Sequence, residues 1–147
     1  MDIDTQVKLQ IYDMVARTGA VPSTLDVART IPAPLDDVAA AFRRLQEKRL
    51  LVPEPGDASR IRMAPPFSGV PTQFRVRVGE RRFYANCVWD ALGIPAALHA
   101  AALVEAVDGH TGEPITLEIT AAGPVPVPCV IHFAVPAARW WDDIVHT

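Results

Sequence analysis

The sequence has few cysteines, no long apolar run and no excess of positive charge. Of its 147 residues only two are cysteine, Cys87 and Cys129, which is too few for a disulfide-stabilised scaffold. No apolar run reaches the roughly 18 residues of a membrane-spanning helix, and the acidic start around Asp2 and Asp4 lacks the basic region of a signal peptide. These absences predict a cytoplasmic protein that has two free thiols and no membrane partner.

The charge balance argues against a general affinity for nucleic acid. The formal net charge is −3, and within residues 1–64 nine lysines and arginines are matched by nine aspartates and glutamates. Affinity for DNA depends on a local basic excess that releases counterions from phosphate. We therefore interpret the basic residues of the third predicted helix as a solvated face and keep DNA binding as the minor alternative. These residues are Arg43, Arg44, Lys48 and Arg49.

Residues 1–64 are predicted to form three helices followed by a two-stranded ribbon. Apolar residues recur at helical spacing, and cap or turn residues separate the three stretches. The first two helices are expected to end at Gly19 and Ile31, and the third to begin with Pro34 at its first position. This order is that of a winged helix-turn-helix, so the sequence predicts a winged-helix-like domain over residues 1–64.

After Pro65 and Pro66, which end regular structure, the pattern changes to strands. A hairpin is predicted over residues 74–84, and a short helix from about Cys87 to Leu92, stopped by Gly93 and Pro95. Further strands are expected over three ranges: Leu103–Val107, Pro114–Thr120 and Cys129–Val135. The whole chain is thus predicted to have an α+β fold, in which the winged-helix-like domain packs on a mixed or antiparallel, β-rich module with short helices at residues 65–147.

Cys87 and Asp90 are the candidate reactive residues. A helix that begins near Asn86 places Cys87 in its first turn, where backbone N–H groups and the helix dipole lower the pKa of a thiol. Asp90 follows three residues later on the same face, and its carboxyl can hold or deliver a proton and help bind a thiophilic metal. On spacing alone, a buried and inert cysteine is the more common interpretation.

The remaining cysteine and the histidines lack metal-ligand spacing. Cys129 opens an apolar stretch and is interpreted as structural, with contact to Cys87 across the core as the alternative. A Cys–His hydrolase that pairs Cys87 with His132 is a further alternative. The dispersed positions of the four histidines argue against a structural zinc site. They are His99, His110, His132 and His146.

The stretch from Arg81 to Leu98 resembles the active-site segment of the alkylmercury (organomercurial) lyase family. In that family an arginine- and tyrosine-containing strand leads into Cys-x-x-Asp, here Cys87 to Asp90, followed by a leucine and a Pro-Ala-Leu stretch. The resemblance extends to the turn at residues 111–114 and to the two-module architecture, so it covers nearly the whole chain. It makes a reactive Cys87 the favoured interpretation.

This resemblance implies protonolysis of the carbon–mercury bond of a small organomercury substrate. Cys87 would be the attacking thiolate and a mercury ligand, and Asp90 the proton donor and an auxiliary ligand. The products would be a hydrocarbon and protein-bound Hg(II), which an external cellular thiol removes. No organic cofactor is implied.

The sequence departs from the family pattern in its cysteines. The family has a second essential cysteine in a strand beyond the segment that matches residues 140–147, and a third near the turn at residues 108–111. Three explanations follow. The lyase-like module ends one strand early because the chain is a truncated form; Cys129 or a partner chain supplies the second cysteine; or the site of Cys87 and Asp90 has lost lyase activity and is repurposed. The functional alternatives are a winged-helix regulator that senses a metal or small ligand through Cys87, and a lyase-fold enzyme with an unrelated substrate.

Overall fold

The computed structural model describes residues 1–146 and has an α+β fold, as predicted. The first part of the chain contains α1 (Ile3–Thr18), α2 (Thr24–Ala28), α3 (Leu35–Glu47), β1 (Val52–Glu54), β2 (Asp57–Ala64) and β3 (Phe67–Ser68). The second part contains β4 (Arg75–Val78), β5 (Arg81–Tyr84), α4 (Val88–Leu98), β6 (Ala102–Val107), β7 (Pro114–Thr120), β8 (Gly123–Pro124) and a 3₁₀ helix (Ala137–Asp142). Within residues 1–146, no helix is long and apolar enough to cross a membrane.

Local capping accounts for the end of α1 and the start of α2. Ser23 and Asp26 form a capping box at the start of α2, which satisfies free backbone N–H groups at that end. Gly19 ends α1 in the left-handed conformation, with φ of +79°, as predicted. The predicted end of α2 at Ile31 is wrong, because α2 stops at Ala28. Pro32 follows Ile31 and disfavours helical backbone at the residue before it. Pro34 is the N-cap residue of α3, which begins at Leu35, so its predicted place at the first helical position is wrong by one residue.

The strands form two antiparallel sheets that meet at Phe67. The first sheet has the order β1-β2-β3 and the second the order β5-β4-β6-β7-β8. In β3, Phe67 pairs with Ala64 of β2, and it also forms an isolated bridge with Ala85, just after β5. One residue therefore connects the backbone of the two sheets.

A single apolar core runs through both parts of the chain. It includes Val7, Ile11 and Phe42 from the helices and Phe83 and Val104 from the second sheet, all of them buried. Such continuous burial of apolar surface is the main favourable term in folding. The order of helices and strands in residues 1–64 agrees with the sequence pattern, whereas the winged-helix assignment and the domain boundary after residue 64 stay predictions.

The helix predicted to end at Leu92 continues to Leu98, so its predicted end at Gly93 is wrong. Pro95 removes only one helical hydrogen bond, the one to the carbonyl of Ala91, and it lies on the buried face of α4. A Cβ at Gly93 would approach the side chain of Pro66 to 3.3 Å, so glycine here permits close packing. Burial of the helix face outweighs the local cost of both residues.

The strand predicted over Cys129–Val135 is also wrong. These residues have no regular secondary structure, and all of them except the half-buried Val135 are exposed. They follow three prolines at alternate positions, which cannot donate hydrogen bonds to a neighbouring strand. These prolines are Pro124, Pro126 and Pro128. The second sheet consequently ends with the two residues of β8.

Candidate functional site

Cys87 lies where β5 gives way to α4. Its backbone is extended, with φ of −151° and ψ of 179°, and it is the N-cap residue of the helix that starts at Val88. The prediction that the helix begins near Asn86 and has Cys87 in its first turn is therefore wrong, since Cys87 is the residue just before the first turn. The Cys87 side chain is half-buried and is a free thiol. It stands close to the positive end of the helix without belonging to its first turn.

The pKa of the Cys87 thiol is raised above its ordinary value, contrary to the prediction. Burial is the main cause, since it disfavours the charged thiolate, and the nearby charge of Asp90 acts in the same direction. The backbone N–H groups of Asp90 and Trp89 oppose this shift without cancelling it. In the free protein the thiol is therefore protonated at neutral pH, and a thiophilic metal must displace its proton on binding.

Asp90 is half-buried in the first turn of α4. Burial raises the pKa of its carboxyl, and a hydrogen bond from Asn86 partly offsets that shift. The Nδ2 group of Asn86 donates to Asp90 Oδ2 at 2.9 Å and to the carbonyl oxygen of Phe67 at 3.3 Å. The Oδ1 atom of Asn86 is buried and has no hydrogen-bond partner among the described residues. Asn86 thus connects the carboxyl group to β3.

Tyr12 brings α1 to the same site. Its hydroxyl group donates a hydrogen bond of 2.9 Å to the carbonyl oxygen of Pro65, and its ring lies 6.2 Å from that of Phe67. Burial raises the pKa of Tyr12, and the charge of Asp90 adds to the shift, which places the phenol within electrostatic reach of the carboxyl. The site therefore draws on residues from both parts of the chain.

Sequence analysis missed the roles of Asn86 and Tyr12 at this site. Asn86 lies just before the N-cap residue of α4, and its polar amide beside the predicted start of the helix is the one local signal for its role. Tyr12 lies 53 residues from its partner Pro65, inside an ordinary amphipathic helix. No local pattern marks such a contact, because it depends on tertiary packing.

The other candidate reactive residues, Cys129 and His132, lie outside the helices and strands. Cys129 is an exposed free thiol, and His132 is exposed in the same irregular segment. In the described part of the chain, His, Cys, Asp and Glu residues form no group of three or more that could hold a metal ion. Cys87 and Asp90, three residues apart at the start of α4, stay the candidate pair.

Three of the four basic residues predicted on the exposed face of α3 and its end have partners within the protein. Asp4 of α1 pairs with Arg44 at 2.7 Å and with Lys48 at 3.0 Å. The guanidinium group of Arg49 lies 5.3 Å from the centre of the Trp141 ring, within the range of a cation–π interaction. These contacts favour the interpretation of this face as structural.

The geometry combines a soft thiol with a carboxyl whose pKa is raised by burial. A thiolate is a strong ligand for thiophilic metals, and a buried carboxyl whose pKa is raised can act as a proton donor closer to neutral pH. A family model covers this part of the chain. The MerB alkylmercury lyase family model matches residues 67–147, which include Cys87 and Asp90. The chain belongs to the alkylmercury lyase family.

A solved structure has a similar fold. The crystal structure of the mercury-bound form of MerB2 superposes with a TM-score of 0.64 and 20% sequence identity. The match covers 82% of this chain and 59% of that chain, so this chain spans less than two thirds of its length. No curated protein matches the chain.

Proposed function

We propose that this protein cleaves the carbon–mercury bond of small organomercury compounds by protonolysis. Cys87 is the nucleophile and mercury ligand, and Asp90 is the proton donor and auxiliary ligand. The observation that carries the proposal is the placement of both residues at the start of α4, inside the region that matches the family. Their half-buried setting, shared with Tyr12 and Asn86, supports a shielded reaction site.

The proposed reaction moves one proton from sulfur to carbon. The Cys87 thiol loses its proton as a sulfur–mercury bond forms with R–Hg⁺, and the Asp90 carboxylate accepts that proton. Asp90 then delivers it to the carbon, which takes the electron pair of the breaking carbon–mercury bond and leaves as R–H. Hg(II) stays bound to the Cys87 sulfur, next to the regenerated carboxylate.

The raised pKa values of Cys87 and Asp90 suit the two proton transfers of the proposed reaction. A protonated Cys87 carries the proton that the reaction consumes, and metal binding drives its release. Burial makes the Asp90 carboxyl a better proton acceptor than an exposed aspartate, because its charged form is disfavoured. The pair therefore functions without a resident cofactor in this proposal.

External thiols complete the proposed cycle. Of the two proposed mercury ligands, Cys87 and Asp90, only Cys87 is a thiol, and the other free cysteine, Cys129, is exposed elsewhere. A second soft ligand must therefore come from another molecule to remove Hg(II). Small cellular thiols are kept reduced in the cytoplasm, and we place the reaction there. The cysteine in the exposed segment, Cys129, has no role in this scheme.

The test is turnover of a phenylmercury salt by the whole chain in excess thiol, with benzene release measured by gas chromatography. We expect turnover by the unmodified protein and by Cys129→Ser, and a loss of at least 100-fold in Cys87→Ser, since removal of a nucleophile eliminates the covalent step. We expect Asp90→Asn to bind Hg(II) and to release little benzene.

Two results would contradict the proposal. The first is no benzene from this protein under conditions in which an authentic lyase is active. The second is undiminished turnover in Cys87→Ser. Hg(II) binding, measured separately by calorimetry, distinguishes a protein that captures mercury without cleaving the bond.

A further inference from the structure

The outer face of the second sheet carries an arginine-lined groove of about 330 Å³. The opposite face of the same strands holds buried core residues such as Val76 and Phe83, so alternation along the strands turns the polar residues outward. The exposed residues of the groove come from β4, β5 and β6. They are Arg75, Arg77, Arg82, Tyr84 and Glu105.

Strand register leaves two of these arginines without a counter-charge. Arg75 lies opposite Glu105 of β6 and forms an ion pair with it at 3.1 Å. Arg77 lies opposite Arg82 on one side and opposite Leu103 on the other. Neither Arg77 nor Arg82 has an ion pair with any residue in the described range 1–146. Like charges directly opposite each other on neighbouring strands destabilise a sheet.

We propose that Arg77 and Arg82 bind the oxyanion of a small molecule, a carboxylate or phosphate group. Each guanidinium is a planar fork of N–H donors that matches two oxygens of either group. An anion between them replaces the repulsion of the cross-strand pair with two charge-assisted contacts. The partly exposed Tyr84 adds an aromatic surface and a hydroxyl group at the edge of the groove.

The groove is separate from the thiol site but close to it in the chain. Tyr84 precedes Cys87 by three residues, and three residues of extended chain span at most about 11 Å. None of the groove residues belongs to the donor set of Cys87 and Asp90. The anion site is therefore independent of the carbon–mercury chemistry proposed above, and its test needs no mercury.

The test is the melting temperature of the whole chain in rising succinate or inorganic phosphate, with sodium chloride at matched ionic strength as the reference. We expect a saturable rise of about 3–6 °C at a tenfold excess over Kd with at least one of the two anions. The larger response identifies carboxylate or phosphate as the preferred group. The double variant Arg77→Gln/Arg82→Gln should lose the response, and Arg60→Gln, an exposed arginine of β2, should keep it.

A second measurement separates binding from structural damage. In buffer without either anion, Arg82→Gln should melt at or above the temperature of the unmodified protein, because it removes the like-charge pair. An equal rise in sodium chloride, or an undiminished rise in the double variant, would overturn the proposal.

Discussion

At the scale of single residues, the candidate site depends on one amide group. Asn86 donates to both Asp90 and the carbonyl oxygen of Phe67, so it fixes the carboxyl relative to β3. The family resemblance makes Cys87 and Asp90 the candidates, and their three-residue spacing is local information that the sequence carries. The direction of the Cys87 pKa shift was not predictable in this way, since burial by distant residues dominates it.

We expect Asp90→Asn to stabilise the fold near neutral pH. Burial raises the folded-state pKa of Asp90. The protonated carboxyl therefore contributes to the stability of the fold. This contribution is fully present below the unfolded pKa of about 3.9 and is lost as pH rises through the folded pKa. A neutral amide removes the cost of the buried charge, and the gain should be on the order of 1 kcal/mol at pH 7.

Urea unfolding at pH 7 and at pH 3.5 checks this prediction, since the gain should nearly vanish at the lower pH. Asp37→Asn is the matched control, because Asp37 is exposed and is also the third residue of its helix. We expect no stabilisation there. A loss of stability in Asp90→Asn at pH 7 would show that the ionised carboxylate is favoured by its surroundings.

At the scale of elements, the end of α1 contacts β5 at two points, both of which involve backbone carbonyl groups. The left-handed Gly19 lies against the carbonyl oxygen of Arg82, and the Arg81 guanidinium donates a hydrogen bond to the carbonyl oxygen of Ala16. The end of α1 at Gly19 was predictable, since glycine is the preferred residue for this conformation. Its contact with β5 was not, because nothing in the local sequence specifies which strand approaches.

Gly19→Ala should destabilise the protein by about 2–4 kcal/mol. The added Cβ overlaps the Arg82 carbonyl oxygen, and the positive φ adds a conformational cost of about 1 kcal/mol. Gly56→Ala provides the comparison, because Gly56 has a similar φ of +82° and no atom within 4 Å of an added Cβ.

Chemical denaturation of both variants separates the two costs. Gly56→Ala should lose about 1 kcal/mol only. Equal losses in the two variants would mean that the close approach of Gly19 to Arg82 imposes no steric cost on an added Cβ.

Element ends that depend on tertiary packing were the main errors of prediction. Pro95 and Gly93 usually stop a helix, yet α4 passes through both because its buried face packs on β4 and β6. Conversely, the apolar residues of Cys129–Val135 resemble a strand but have no neighbouring strand to pair with in the described structure. A local sequence pattern therefore shows which residues favour a helix or strand, whereas tertiary contacts determine where that helix or strand ends.

At the scale of the whole molecule, the common core predicts one cooperative unfolding transition. Core residues of α1 and α3 belong to the same cluster as those of the second sheet, so loss of either part exposes apolar surface of the other. Scanning calorimetry of the whole chain should give a single peak, with equal calorimetric and van't Hoff enthalpies. A fragment of residues 67–147 should lack a cooperative transition.

Two resolved peaks, or a fragment that unfolds cooperatively, would contradict this prediction. The fragment is the informative control because it contains Cys87 and Asp90 but lacks Tyr12. The sequence-based division into residues 1–64 and 65–147 marks a change from helical to strand spacing of apolar residues. The shared core makes the stability of each part depend on the other.

The position of Phe67 has a consequence for chimaeric proteins. Its backbone pairs with β2 on one side and with Ala85 on the other, and its ring packs between Tyr12 and Phe83. The family match begins at this residue. Exchange of residues 1–66 between relatives would therefore cut through an interlocked contact, so a working hybrid must inherit Tyr12 and Phe67 from parents whose side chains fit together.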